Sequence, residues 1–166
     1  MFKTFVRTVL FAMLVVVTPL RAEDIAVPPP APMDTCPVCG MLVAKYTEWV
    51  ATVLYKDGHA HHFDGAKDMF KFLKDMGKYG DGHTEADIAV IAVTEYYDLM
   101  KIDARQAFYV VGSDTYGPMG HELVPLATEA DAKEFLADHK GQFIVTFDQV
   151  TPEMLDNLDQ GVFEQP

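Results

Sequence analysis

Three sulfur side chains stand within six residues in Cys36-x-x-Cys39-x-Met41. Thiolate and thioether are soft donors, a combination that favours Cu(I) over zinc, calcium or magnesium. Zinc accepts thiolate but makes little use of thioether, so Met41 is the discriminating residue. Gly40, between Cys39 and Met41, relaxes the backbone so that both sulfurs can turn to one ion. Taken alone, Cys-Pro-Val-Cys also suits thiol redox chemistry, in which a helix N-terminus acidifies the first thiol. A proline-rich stretch before the motif and extended sequence after it weaken that option. A plain disulfide or half of a zinc site are the structural alternatives. On this motif alone, metal binding and disulfide or redox chemistry stay open.

A second constellation is Tyr116-Gly117-Pro118-Met119-Gly120-His121. A Gly-Pro turn with a gap-filling Met is a common pattern. Here glycine lies on both sides of Met119, a poor setting for a core residue, which favours a ligand. His121 adds an imidazole two residues on. His59 and His61 would share one face of a strand while His62 points away; two imidazoles so spaced could take Cu(II) or zinc, but an exposed hairpin edge is the simpler expectation. His83 in a Gly-rich loop and His139 at a helix end take no role. Lys67, Lys71 and Lys74 read as solvated charges on the outer face of a helix. The chain carries no nucleophile elbow, phosphate loop or dinucleotide-binding signature. No carboxylate can be placed beside the cysteines from spacing alone, and we expect no enzyme.

These side chains need a frame. The chain has 166 residues with a formal charge of −12 and 49% hydrophobic residues, enough for a real core. That charge excludes a sequence-independent nucleic-acid binder, which needs a basic face. Residues 1–22 read as a secretory signal: Lys3 and Arg7, an apolar run from Val9 to Val17, Pro19, and a small Ala22 at the cut. Removing 22 residues leaves 144, and the loss of Lys3, Arg7 and Arg21 takes the charge to −15. No cysteine follows the apolar run, so no lipid-attachment site is evident there; membrane association would run through the N-terminus. Export implies an oxidising compartment, the periplasm, where exposed thiols pair or bind metal.

Residues 23–34 hold Pro28, Pro29, Pro30 and Pro32 and read as a stiff tether. Strand formers from Trp49 to Tyr55, a Lys56-Asp57-Gly58 turn and His59 to Phe63 predict a hairpin. Asp64 is the expected N-cap of a helix with Ala66, Met69, Phe70, Leu73 and Met76 on one face, and Ile88 to Val93 reads as a strand. The order then repeats: a strand over Ala107–Gly112, a long turn, a return strand over His121–Leu126, a helix capped by Thr128, and a closing strand over Phe143–Phe147. Asp68, Phe72, Leu73 and Asp75 match Asp131, Phe135, Leu136 and Asp138 at an offset of 63 residues. The prediction is α+β, two tandem ββαβ units, with a single α/β sandwich as the alternative. Residues 35–100 hold the sulfur turn and the first unit, 101–150 the second, and 151–166 a C-terminal segment with a short helix.

Cys39-Gly40-Met41, Phe63-Asp64-Gly65, Ile102-Asp103-Ala104, Ala107-x-Tyr109-Val110 and Gly117-Pro118-Met119-Gly120, in this order over residues 35–150, resemble the NosL family. The resemblance implies a fold similar to that of organomercurial lyase and a function as an exported Cu(I)-binding accessory protein. Such proteins serve assembly of the copper centres of nitrous oxide reductase and work with a membrane transporter complex. The resemblance implies Cys39 and Met41 as Cu(I) ligands, Met119 as the third and His121 as a contributor. Cys36 departs from many members and stands as a fourth ligand, a partner in oxidative locking of Cys39, or incidental. The family is typically lipid-anchored, and the client, nitrous oxide reductase or another apo cuproprotein, is not fixed by resemblance. The rival function is a thiol–disulfide oxidoreductase using Cys36 and Cys39.

Overall fold

A run of β-branched and aromatic residues followed by a glycine turn makes the first hairpin. In the computed structural model, which describes residues 24–165, β1 (Ala51–Tyr55) pairs antiparallel with β2 (Ala60–Phe63), with Val53 opposite His61. Gly58 takes φ +90° in the connecting turn, a conformation that favours glycine. The expected export segment, 1–22, lies outside the described residues. Among those described, no helix is long and apolar enough to cross a membrane.

Helices α1 (Ala66–Lys74) and α2 (Met76–Tyr79) follow, and β3 (Ile88–Thr94) returns on the other side of β1, with Val53 opposite Ile91. A short β4 (Lys101–Asp103) extends the sheet to the order β2-β1-β3-β4. The proline-rich segment runs along that edge: Ile25 N–H donates to the Lys101 carbonyl at 2.7 Å, and Asp24 accepts from Lys101 N–H at 3.0 Å.

The second unit repeats the plan. Strand β5 (Phe108–Val111) is central, flanked by β8 (Val124–Leu126) and β9 (Phe143–Thr146), and α3 (Glu129–Asp138) joins the last two. Between β5 and β8 the chain inserts a small hairpin, β6 (Tyr116–Gly117) and β7 (Gly120–His121), where the sequence suggested an open turn running into a longer strand. A C-terminal helix α4 (Pro152–Asp159) begins at Thr151, whose hydroxyl accepts from Met154 N–H.

Helix α1 lies between the two sheets. Its Phe72 meets Phe63 at 5.0 Å between ring centroids, while Phe70 stands edge-on to Tyr109 of β5 at 5.1 Å. The main core therefore draws on both units, and a smaller one of Val110, Val124, Leu126, Ala132 and Phe135 forms under α3. Being covered on two sides corrects an expectation. Lys67 is 2% exposed, and both it and Lys71 pair with Asp159 of α4, at 3.0 and 2.6 Å. Neither is the solvated outer-face charge that a one-sided amphipathic helix would carry.

Candidate metal centre

The sulfur motif folds as a tight loop. Cys36 N–H donates to the Met41 carbonyl and Gly40 N–H to the Cys36 carbonyl, both at 2.8 Å, and Thr35 bridges to Leu42. Gly40 sits at φ +79° with nothing near the position a Cβ would take, so glycine is favoured here by backbone angle alone. The loop turns both thiols inward: Cys36 is 1% exposed and Cys39 half-buried. The two are free and not joined.

Opposite the loop stands the N-terminal end of α1. The Cys39 thiol donates to Asp64 Oδ1 at 3.2 Å and the Cys36 thiol to Asp68 Oδ2 at 3.4 Å. One atom from each of these four residues lies within 4.8 Å of every other. The second oxygen of Asp64 is buried and, among the described residues, has no hydrogen-bond partner. A buried polar atom left unpaired is costly, and a bound cation would satisfy it. Burial pushes the Cys39 thiol up to about 12 and drives Cys36 up further, the charge of Asp68 adding to the effect. Redox-active thiols are acidified instead, so the thiol–disulfide alternative is not favoured.

Asp64 does not cap α1. The helix N-cap is Gly65, and the cap comes from the other unit: Glu122 Oε1 accepts from Lys67 N–H at 2.6 Å and from Leu123 N–H at 2.9 Å. The approach is so close that a Cβ on Gly65 would stand 2.1 Å from Glu122 Oε2. With the helix end satisfied from elsewhere, the Asp64 and Asp68 carboxylates are free to face the cysteines. Sequence reading missed both acids. The nearest signal was Asp64 itself, at the strand-to-helix junction, where a carboxylate suggests capping.

Met119 lies at the tip of the β6–β7 hairpin, 46% exposed, with Gly120 at φ +86° beside it. Its carbonyl accepts from Lys67 Nζ at 3.0 Å, which lays the hairpin over the same end of α1 that carries Asp64 and Asp68. Met41 is half-buried in the sulfur loop. His121 falls outside the four-residue cluster. Its ring packs against Tyr116 and Phe163, at 4.8 and 4.9 Å, and its Nδ1 is buried with no partner among the described residues.

These features define a class: a small α+β protein with a thiol-centred site able to hold a metal ion. The NosL family model matches residues 29–155, most of the chain, and the protein belongs to that family. The copper-binding lipoprotein NosL of Stutzerimonas stutzeri is 28% identical over 123 residues, which cover 74% of this chain. The match spans 64% of that relative, a little under two thirds of its length. The crystal structure of the copper chaperone NosL from Shewanella denitrificans superposes with a TM-score of 0.61 at 25% identity, over 77% of this chain and 97% of that one. A solution structure of apo-NosL from Achromobacter cycloclastes aligns at 25% identity over 63% and 87% of the two chains, with a TM-score of 0.44. The relatives are named for binding or carrying copper rather than for a reaction, which agrees with the expectation of no enzyme.

Proposed function

We propose that this protein is an exported Cu(I) metallochaperone of the periplasm. It carries one cuprous ion at Cys39, Met41 and Met119, with Cys36 as a further thiol and His121 as an additional donor. The observation that carries the reading is the pair of inward-facing thiols beside Asp64 and Asp68, with one Asp64 oxygen lacking a hydrogen-bond partner among the described residues. The names of the relatives support copper as the cargo.

The geometry suits loading and release. Both thiols are protonated when the site is empty, so copper must displace protons, and Asp64 and Asp68 already accept hydrogen bonds from the sulfurs that would lose them. The carboxylates are hard donors and would serve zinc equally well; the thioethers are what select the softer Cu(I). A methionine at an exposed hairpin tip leaves one side of the ion open to an incoming ligand, which is the route for transfer. The client in this reading is nitrous oxide reductase or another apo cuproprotein, with a membrane transporter complex as the source or the route.

An anaerobic Cu(I) titration against a competing chelator tests it. The native chain should bind one Cu(I). Cys39→Ser should weaken binding by at least about 100-fold, and Met41→Ala and Met119→Ala by about 10-fold each. Native affinity in Cys39→Ser would overturn the assignment.

A further inference from the structure

Three buried side-chain atoms lack a hydrogen-bond partner among the described residues: Asp64 Oδ2, His121 Nδ1 and Glu95 Oε1. The first two belong to residues of the proposed copper site. Glu95 stands elsewhere, directly after β3, and ties a tight turn together. Its N–H donates to the Met100 carbonyl at 2.9 Å, and its carbonyl accepts from Leu99 N–H at 3.1 Å. Oε2 accepts from Tyr97 and Asp98 N–H, at 2.9 and 2.6 Å. The turn thus occupies one carboxylate oxygen and leaves the other buried without a donor, which is costly.

That turn forms one wall of a cleft of about 350 Å³, and α3 forms the other. Glu95, only 3% exposed, lines it from the turn with Tyr97, Asp98 and Met100; Asp131 and Glu134 line it from the helix. The two helix acids are three residues apart and so share a face. Four lining residues are acids and none is basic. Partial burial raises the Tyr97 phenol above its ordinary value, and the charges of Glu134, Asp138 and Asp131 raise it further, so this ring stands in a negative field. Beside the cleft the surface is apolar: Tyr97 and Leu99 are 47% and 53% exposed. Leu99 also holds φ +56°, a backbone angle uncommon for a leucine.

An acidic cleft calls for a cation, and the geometry excludes a metal ion here. Among the described residues only the cysteine cluster brings metal-ligating atoms within reach of one ion. The hairpin histidines, expected at an exposed edge, pack as rings instead, with His61 and His62 at 9% and 6% exposure. His83 stacks on Tyr55, and its nitrogens lie 3.1 Å from Asp57 and 3.3 Å from the Gly80 carbonyl. Carboxylates spread around a cleft suit a cation whose donors are spread as well. A guanidinium presents five N–H groups in a planar fork and stacks on aromatic faces, whereas an ammonium is a compact point charge.

We propose that the cleft between the β3–β4 turn and α3 docks an arginine side chain on a segment of a partner protein, with Glu95 as its buried acceptor. Charge complementarity selects this occupant, since the cleft gathers acids without a counter-cation in its own lining. The methylene stem lies on Met100 and the guanidinium plane on Tyr97. Tyr97 and Leu99 offer apolar contact to the residues flanking the arginine, which a free small cation would leave unused. The site shares no residue with the thiol centre and does not rest on the copper reading.

The test titrates a capped peptide, Ala-Leu-Arg-Leu-Ala, into the copper-free, isotope-labelled full chain and follows amide NMR shifts. Shifts should concentrate in residues 95–100 and 131–134 and saturate with a Kd of about 1 mM or tighter. Citrulline in place of the arginine, a neutral isostere, should weaken binding at least about tenfold, and lysine about threefold. Glu95→Gln, which keeps an acceptor for the turn, should cost at least about tenfold in affinity. The exposed Glu134→Gln should cost about threefold with an unchanged Tm, so lost binding there is not lost folding. No shift at these residues up to about 20 mM peptide would overturn the site. So would native affinity in both variants, or equal binding of the citrulline peptide. Shifts spread evenly over the acidic surface would mean undirected charge attraction and would overturn it too. Free arginine amide binding as tightly as the peptide would overturn the partner segment and leave a small-cation pocket.

Discussion

Helices α1 and α3 begin 63 residues apart in units with the same strand order, yet they are built differently. Helix α3 caps itself: the Thr128 hydroxyl oxygen accepts from Asp131 N–H at 3.1 Å, and the helix buries only Ala132 and Phe135. Helix α1 has no side-chain cap of its own, buries six of its nine residues, and borrows Glu122 from the other unit. The self-sufficient helix ends up as an outer layer over a small core. The dependent one sits between the sheets, and its N-terminal end becomes one wall of the thiol site. Loss of local independence is what frees Asp64 and Asp68 to face sulfur.

The sharpest way to break this contrast is at Gly65. Its backbone is extended, so alanine meets no conformational penalty there; the obstacle is the Glu122 carboxylate. Gly65→Ala should destabilise the protein by about 2–3 kcal/mol in chemical denaturation, because the buried carboxylate must shift off the N–H groups it caps. A change under 0.5 kcal/mol, in the range of an ordinary surface substitution, would mean the cross-unit cap is dispensable.

The next effect appears on a pH axis. Burial holds the Glu122 carboxyl up at about 7 against an ordinary 4.5. Between those values the folded chain keeps a proton that the unfolded chain releases, so the contribution of Glu122 to stability falls as pH rises, by about 3 kcal/mol across the window. His61 acts oppositely: burial lowers it to about 4, so its contribution rises with pH from about 4 to 6.5. The slopes from Glu122 and His61 therefore oppose each other in the native chain. Glu122→Gln, which keeps an acceptor for both N–H groups, should expose a rise toward neutral pH. Matching pH profiles of native and variant Tm would count against a carboxyl held up at about 7.

The smallest effect belongs to the other helix. Thr128→Ala should cost about 1 kcal/mol, the usual worth of a side-chain cap, and leave Cu(I) affinity unchanged. A loss of copper binding in this variant would show that the two helix ends are not separate in function.

Most of the frame was legible because its signals are local. The Lys56-Asp57-Gly58 turn, the strand formers around it, the Thr128 cap and Pro152 after Thr151 act over a few residues, and the elements they predict are present. Where a signal competed with a distant partner, local reading failed. Asp64 looked like a cap and is not, because Glu122, 55 residues beyond Lys67, accepts the Lys67 N–H. Lys67 looked solvated and is buried, because α4 and the β6–β7 hairpin close over it.

The amino-acid order by itself determined the soft donors, the hairpins and helices, and the repeated unit, since residue chemistry and short-range backbone preference need no partner. Only the tertiary structure decided which acids meet the thiols, which helix is enclosed, and that His83 joins His59 and His61. Those outcomes depend on long loops being closed against their entropy by burial elsewhere in the molecule, and no local pattern encodes which distant surfaces that burial will bring together.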